Sequence, residues 1–366
     1  MIASIKDVKD ILAKTPHDIS VGLWGPPGIG KTDLCIQVAT ATGSKFLVKL
    51  AATMDPTDLV GIPFPDKSGN VTKFLPPADL YQLTVEYAEE ANKLPVKDRP
   101  YTGSWVVCFD DITTANPQVF AALFRLFQHR EVAGYKIRNN VRLLATGNRA
   151  EDNAAANDMP TALNNRFFHI DLAVNSDEWG AWAIQNNIQP TIAGYIKNRP
   201  DQLHVFKPDS MERAFATPRS IAMASAMEAA VGVGTPHWHL AIAGCVGEGW
   251  SAGYRAFIKN TVNLVKPEDI MRDPAKCRVP DKAAVDVIHA TVSTLTHYIK
   301  NHATSDNCLK SFTYLERIPH ADMGMAGVHA ILDNVVQPHP DPSLKAKIIN
   351  SPQFTRLMTE HGFLLL

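Results

Sequence analysis

Eight residues constrain this chain more than any others: G-x-x-x-x-G-K-T, from Gly25 to Thr32 within "LWGPPGIGKTDL". An extended apolar run, Ile19 to Trp24, precedes them, and a helix-forming run, Asp33 to Thr40, follows. Glycines let the backbone curl until successive N–H groups point at one anion, and the start of the next helix adds the positive end of its dipole. In such a loop Lys31 reaches the β- and γ-phosphates and the Thr32 hydroxyl ligands magnesium. Gly25, Pro26, Pro27, Gly28, Ile29, Gly30, Lys31, Thr32 and Asp33 are therefore the expected nucleotide contacts. A Gly-Pro turn between a strand and a helix is the plainer alternative.

Strands and helices alternate beyond the loop. After the strand Ile19 to Trp24, further strands are expected at Lys45 to Ala51, Trp105 to Phe109, Val141 to Thr146 and Phe167 to Leu172. A long polar, Pro-rich section interrupts them between Asp55 and Thr102. Within it "IPFPDKSGNVTKFLPP" reads as a hairpin turning at Asp66 to Asn70, and a helix should follow over Ala78 to Leu94. Another helix is expected at Pro117 to His129, then a small hairpin around Gly134 in "EVAGYKI". From residue 173 onward only helical patterns remain, so the class shifts from α/β to all-α.

The run "WVVCFDDI" reads as a strand buried on both faces that ends in two acids. Asp110 can hold magnesium opposite Thr32, directly or through water, and Asp111 is placed to orient an attacking water. Alone, such an ending is often just a strand-end turn; after a phosphate loop, with a strand and helices between, it points to a magnesium-nucleotide site. Asn148, directly after "VRLLAT", ends the strand next to Asp110 and can share that water and contact the γ-phosphate.

Composition narrows the function classes. At 366 residues the chain suggests two or three domains, and 45% apolar residues supply a sizeable core. Lys and Arg number 36 against 37 acids, which argues against a chain built chiefly to grip nucleic acid or anionic membrane. The five cysteines (Cys35, Cys108, Cys245, Cys277, Cys308) form no C-x-x-C pair, which suits a reducing cytoplasm. The N-terminus begins an amphipathic helix with Ser4 and Asp7 in a capping-box pattern, not a signal sequence. The small-apolar stretch Ile221 to Val233 is interrupted by Glu228, and nothing is expected to span a membrane. His237 and His239 would face away from each other on one helix and no further ligand set is spaced around them, so packing or surface is the expectation. The apolar end Phe363 to Leu366 fits docking on a neighbour or burial against its own helices.

Taken together, "GPPGIGKT", "CFDD", "ATGN", "MPTALNNRF" and "FATPRS" resemble, in order, the motifs of an AAA+ ATPase of the MoxR/AAA_5 type, over roughly residues 15 to 230. The resemblance implies a P-loop NTPase core with a five-stranded parallel sheet between helices, carrying two hairpin insertions. An all-α lid and a C-terminal helical extension would follow. The implied domains are 1–172, 173–260 and 261–366. It also implies ATP with Mg2+ as ligands, with Lys31 and Thr32 as Walker A, Asp110 and Asp111 as Walker B, and Asn148 as sensor 1. Arg166 in "NNRF" matches the arginine finger that acts on a neighbouring subunit's nucleotide, and Arg219 in "TPRS" matches sensor 2 in its own subunit. A planar guanidinium can bind two γ-phosphate oxygens at once, which suits both roles. Arg149 and Arg213 are rival candidates.

The resemblance further implies a homo-oligomeric, hexameric ring that remodels or activates a protein client, with a von Willebrand A-like or metallopeptidase-like protein as partner. The tail, with "VKPEDIMRDPAKCRVP" and "SPQFTRLMTEHGFLLL", is similar to that subgroup too. The family usually carries Asp-Glu at the strand end, whereas Asp111 is one methylene shorter and stops about an ångström short of the water. Two other functions stay open: a DNA-directed motor or loader, and a nucleotide-dependent scaffold with weak hydrolysis.

Overall fold

The computed structural model describes residues 2–152, 159–208, 212–260 and 264–361, so Phe363 to Leu366 lie outside the described residues. The chain divides into two compact units, Met1–Ala173 with Lys207–Ser210, and Val174–Phe206 with Met211–Leu366.

The first unit is built on strands β1 (Ile2–Ala3), β2 (Ser20–Trp24), β3 (Lys45–Leu50), β4 (Ile62–Pro65), β5 (Thr72–Leu75), β6 (Trp105–Asp110), β7 (Glu131–Val132), β8 (Tyr135–Lys136), β9 (Val141–Gly147) and β10 (Phe167–Leu172). Six of these form one parallel sheet in the order β1-β10-β2-β9-β6-β3. The five expected strands are all present. The sixth, β1, pairs Ile2 and Ala3 with Asp171 and Leu172, and two residues are too short to leave an alternation signal. Strands β2 and β9 are buried along their whole length and β6 up to its final aspartate, which is why their sequences read as continuous apolar runs. Edge strand β3 is buried at none of its positions and carries lysines at both 45 and 49.

The two expected hairpins are β4–β5 and β7–β8. The expected helix over Ala78 to Leu94 is instead two helices, Ala78–Tyr81 and Val85–Asn92. Thr84 breaks it by taking the N-cap of the second, accepting a bond from the Tyr87 N–H at 3.3 Å. Ser4 caps the first helix, Ile5–Lys14, through the Asp7 N–H at 3.1 Å, and its hydroxyl donates to the Asp7 carboxylate at 2.7 Å. Buried Arg138 ties the long insertion to the sheet by donating to the carbonyls of Gln82, Leu83, Thr102 and Gly103.

Every element described in the second unit is helical. One core gathers around Tyr195, Trp250 and Tyr254, another around Phe312, Tyr314 and Leu315. Glu228 explains the acid in the apolar stretch. Only 2% exposed, it accepts from the Thr191 hydroxyl at 2.8 Å, the Trp238 indole N–H at 3.0 Å and the Tyr254 phenol at 2.8 Å. Burial and the Glu228 charge push the Tyr254 phenol well above its ordinary value, so it remains a donor.

Removing the acceptor strands two buried donors, Trp238 and Tyr254, and the half-buried Thr191 hydroxyl. Glu228→Ala should therefore destabilise this unit by about 3 kcal/mol or more, and Glu228→Gln, which keeps one carbonyl, by clearly less. Urea unfolding followed by tryptophan fluorescence checks both.

Candidate nucleotide site

The site sits where β2, β9 and β6 end side by side. Gly25 follows β2, Asn148 follows β9, and Asp110 closes β6. The loop from Gly25 to Gly30 requires its glycines locally. A Cβ at Gly25 would stand 2.8 Å from the Ile29 side chain and 3.0 Å from the Leu172 carbonyl. Gly30 takes a left-handed φ of 96° as N-cap of the helix Lys31–Ala41, and a Cβ there would meet nothing within 4 Å. The strain falls on the backbone and the space beside it is open. Ile29 is buried beneath the loop, and Asp33 stands in the first turn of the helix.

Lys31 folds back over this loop. Its Nζ donates to the Gly25 carbonyl at 2.7 Å, the Pro26 carbonyl at 3.0 Å and Asn148 Oδ1 at 2.8 Å. The other end of the Asn148 amide donates to Asp111 Oδ1 at 3.2 Å. Asn148 thus turns its carbonyl to a cation and its amide to an anion. Alongside, Asp110 Oδ1 accepts from the Thr32 hydroxyl at 2.7 Å and from the Thr146 hydroxyl at 2.5 Å. One bonded cluster gathers Lys31, Thr32, Asp110, Asp111 and Asn148.

Thr146 was not legible as a site residue. Its fully buried hydroxyl donates to Asp110 and accepts the Asp111 N–H at 3.0 Å, so it registers both acids at once. Thr113 does the same for Asn148, accepting its N–H at 3.2 Å. A signal for Thr146 existed: it is a polar residue near the end of a buried apolar strand, two positions before Asn148.

Asp111 adopts a left-handed backbone, φ 53° and ψ 47°, a region that aspartate tolerates better than most side chains. Its carbonyl accepts from the Thr114 N–H at 3.0 Å and the Thr114 hydroxyl at 2.8 Å. Burial raises the Asp111 carboxyl above its ordinary value; the Lys31 charge opposes this and Asp110 reinforces it.

The arginines are placed by other elements. Arg166 precedes β10; its Nε donates to Gln128 Oε1 and its guanidinium lies 5.5 Å from the centre of the Phe124 ring. Gln128 and Phe124 sit one turn apart on the helix Pro117–His129, so one helix face holds the side chain. A shallow depression beside it is lined by Thr161, Ala162, Asn164, Asn165, Arg166 and His169. Arg219 belongs to the second unit, exposed in the first turn of the helix Pro218–Val231. Of the rivals, Arg149 is engaged by Asp152 at 3.2 Å and Glu151 at 2.8 Å, and Arg213 is exposed in the second unit. His239 uses its ring nitrogens on Ser251 at 2.6 Å and Glu248 at 3.1 Å. Among the described residues, no group of three His, Cys, Asp or Glu side chains is placed to hold a metal.

The donor set nonetheless fits a magnesium nucleotide. It offers an ammonium on exchangeable neutral acceptors, a hydroxyl–carboxylate pair, and an open glycine loop at a helix start. Residues 20–167 match the family model for the AAA domain, dynein-related subfamily. Over this segment the chain is similar to an AAA domain. The segment runs from β2 to the first residue of β10, so it contains the loop, both acids, Asn148 and Arg166, while Arg219 lies beyond it.

No curated protein matches the sequence. Among solved structures, a candidate ATPase from Cytophaga hutchinsonii aligns at 12% identity over 94% of this chain and 89% of its own, with a TM-score of 0.33. A RuvB variant from Thermotoga maritima aligns at 14% identity over 74% of this chain and 72% of its own, TM-score 0.33. A second RuvB variant aligns at 14% identity over 91% and 83%, TM-score 0.29.

If Thr146 registers the two acids, Thr146→Val should weaken magnesium-dependent nucleotide binding by about tenfold, and Thr146→Ser should restore it. Titration of a fluorescent ATP analogue at fixed and varied Mg2+ measures both.

Proposed function

We propose that this protein is an AAA+ ATPase of the MoxR type that assembles as a hexameric ring and couples ATP hydrolysis to remodelling or activating a partner protein. The observation that carries the reading is the bonded path Lys31–Asn148–Asp111 beside Thr32–Asp110–Thr146, at the ends of three adjacent buried strands. Thr32 and Asp110 would hold magnesium. When bound, the ion neutralises charge on the transferring phosphoryl group. Lys31 exchanges its loop carbonyls for phosphate oxygens, which are charged and hence stronger acceptors. Asn148, fixed on Lys31 and Asp111, positions the attacking water, and the Asp111 carboxylate orients it.

Arg166 would act on the neighbouring subunit's nucleotide and Arg219 on its own, from a lid over 173–260 followed by a helical extension over 261–366. The β4–β5 hairpin supports a protein client. Ile62, Phe64 and Phe74 are 64%, 58% and 42% exposed there, a surface suited to apolar contact rather than to phosphates. A von Willebrand A-like protein is the partner class to test first. Among the described residues no helix is long and apolar enough to cross a membrane, and the five cysteines are free, which supports placement in a reducing cytoplasm. A scaffold that binds ATP and turns it over slowly is the second reading, favoured by the short Asp111 side chain.

Arg166→Ala should cut turnover about a thousandfold at ring-forming concentrations while leaving nucleotide affinity unchanged. Activity against protein concentration, with sizing in ATP, measures it, and wild-type assembly without turnover would favour the scaffold. The raised Asp111 carboxyl also sets a pH dependence. Its ionised form appears only as pH rises through that raised value, so turnover should fall on the acid side at a higher pH than an exposed aspartate dictates. Asp111→Asn should abolish most turnover.

A further inference from the structure

Trp24 occupies an unusual position: it is the last residue before the phosphate loop, yet its side chain reaches toward the segment that carries Arg166. The indole lies across the strand ends. A Cβ on Gly147 would stand 2.6 Å from the ring, and one on Gly22 would also collide with it. Trp24 is thus packed against the backbone that leads directly into Asn148.

From there the indole N–H donates to His169 Nδ1 at 2.8 Å, and His169 Nε2 lies 2.8 Å from the Asn164 carbonyl. Each end of this path admits a single role, since an indole N–H only donates and a carbonyl only accepts. The imidazole must therefore be neutral, with its proton on Nε2. Asn164 stands two residues before Arg166. On the other side Phe167, directly after Arg166, meets the Trp24 ring edge-on at 6.2 Å. Trp24 brackets Arg166 from both sides, while its own backbone continues into Gly25.

We infer that Trp24 and His169 are positioning residues that couple occupancy of the phosphate loop to the placement of Arg166. A loop that tightens on phosphate shifts the indole. The His169 bonds carry that shift to the Asn164 carbonyl, and the Phe167 contact carries it to the residue after Arg166. A rigid indole and a single imidazole tautomer fix the geometry of the path. The inference rests on the role proposed above for Arg166.

The test separates coupling from folding and from hydrolysis. In the full-length protein, Trp24→Phe removes the donor and His169→Phe removes both bonds, while each keeps an aromatic ring. At saturating ATP and ring-forming concentration, turnover should fall about tenfold in each, with the Kd for a fluorescent ATP analogue unchanged. His169→Gln, which can both accept and donate, should restore most of it. Full turnover in the phenylalanine variants would overturn the inference. So would loss of nucleotide binding in step with turnover, or an equal defect in His169→Gln.

A readout independent of hydrolysis is the side-chain 15N spectrum of the wild type. His169 should show the Nε2–H tautomer. Its resonance and that of the Trp24 indole should shift on adding a non-hydrolysable ATP analogue with Mg2+, and the His169 shift should vanish in Trp24→Phe. Unmoved resonances with analogue bound would overturn the coupling. Moved resonances in a protein without turnover would keep the coupling and count against the ATPase reading.

Discussion

A strand buried on both faces has nowhere to put a polar side chain except at its ends, and this constraint organises the first unit. Strands β2, β9 and β6 are sealed over most of their length, so their polar chemistry is concentrated where they emerge. Because β9 lies between β2 and β6, the ends come out adjacent: loop lysine, asparagine, then paired acids. Asn148 can then bond Lys31 on one side and Asp111 on the other, a reach that another strand order would forbid. The site is a consequence of which strand is the middle one.

Much of this was legible in the sequence, for a physical reason. The motifs are contiguous, and each sits at a junction between an apolar run and a polar turn, where periodicity is easiest to read. Strands β2, β6 and β9 follow from apolar runs whose burial is nearly uniform, and the two hairpins from the turn residues at their bends. What escaped has the opposite character. Strand β1 is two residues long, and Thr84 competes locally for the backbone and splits a helix whose apolar spacing runs on through it. Thr146 matters because of partners on another strand: its place at the end of a buried run marks it as unusual, but only the neighbouring strand shows what it bonds. Glu228 looked like an interruption of an apolar run, and only its three donors show that the interruption is satisfied.

Asp111 joins local conformation to chemistry. The left-handed backbone there suits a short side chain that can bond nearby groups, and its carbonyl is held by Thr114. A longer acid would extend further toward a water but would sit less readily in that conformation. The choice of aspartate is therefore partly a matter of turn geometry.

The glycines beneath Trp24 have a consequence for how this domain can vary. Gly22 and Gly147 lack side chains because the indole fills the space where those side chains would begin. The three positions form one steric unit drawn from two strands. A relative with a small residue in place of the tryptophan gains room for alanine at position 22, whereas at position 147 the Thr113 methyl, 2.9 Å from where a Cβ would stand, has to give way as well. Variation at residues 22 and 24 should be correlated across such sequences, and variation at 147 should follow both 24 and 113.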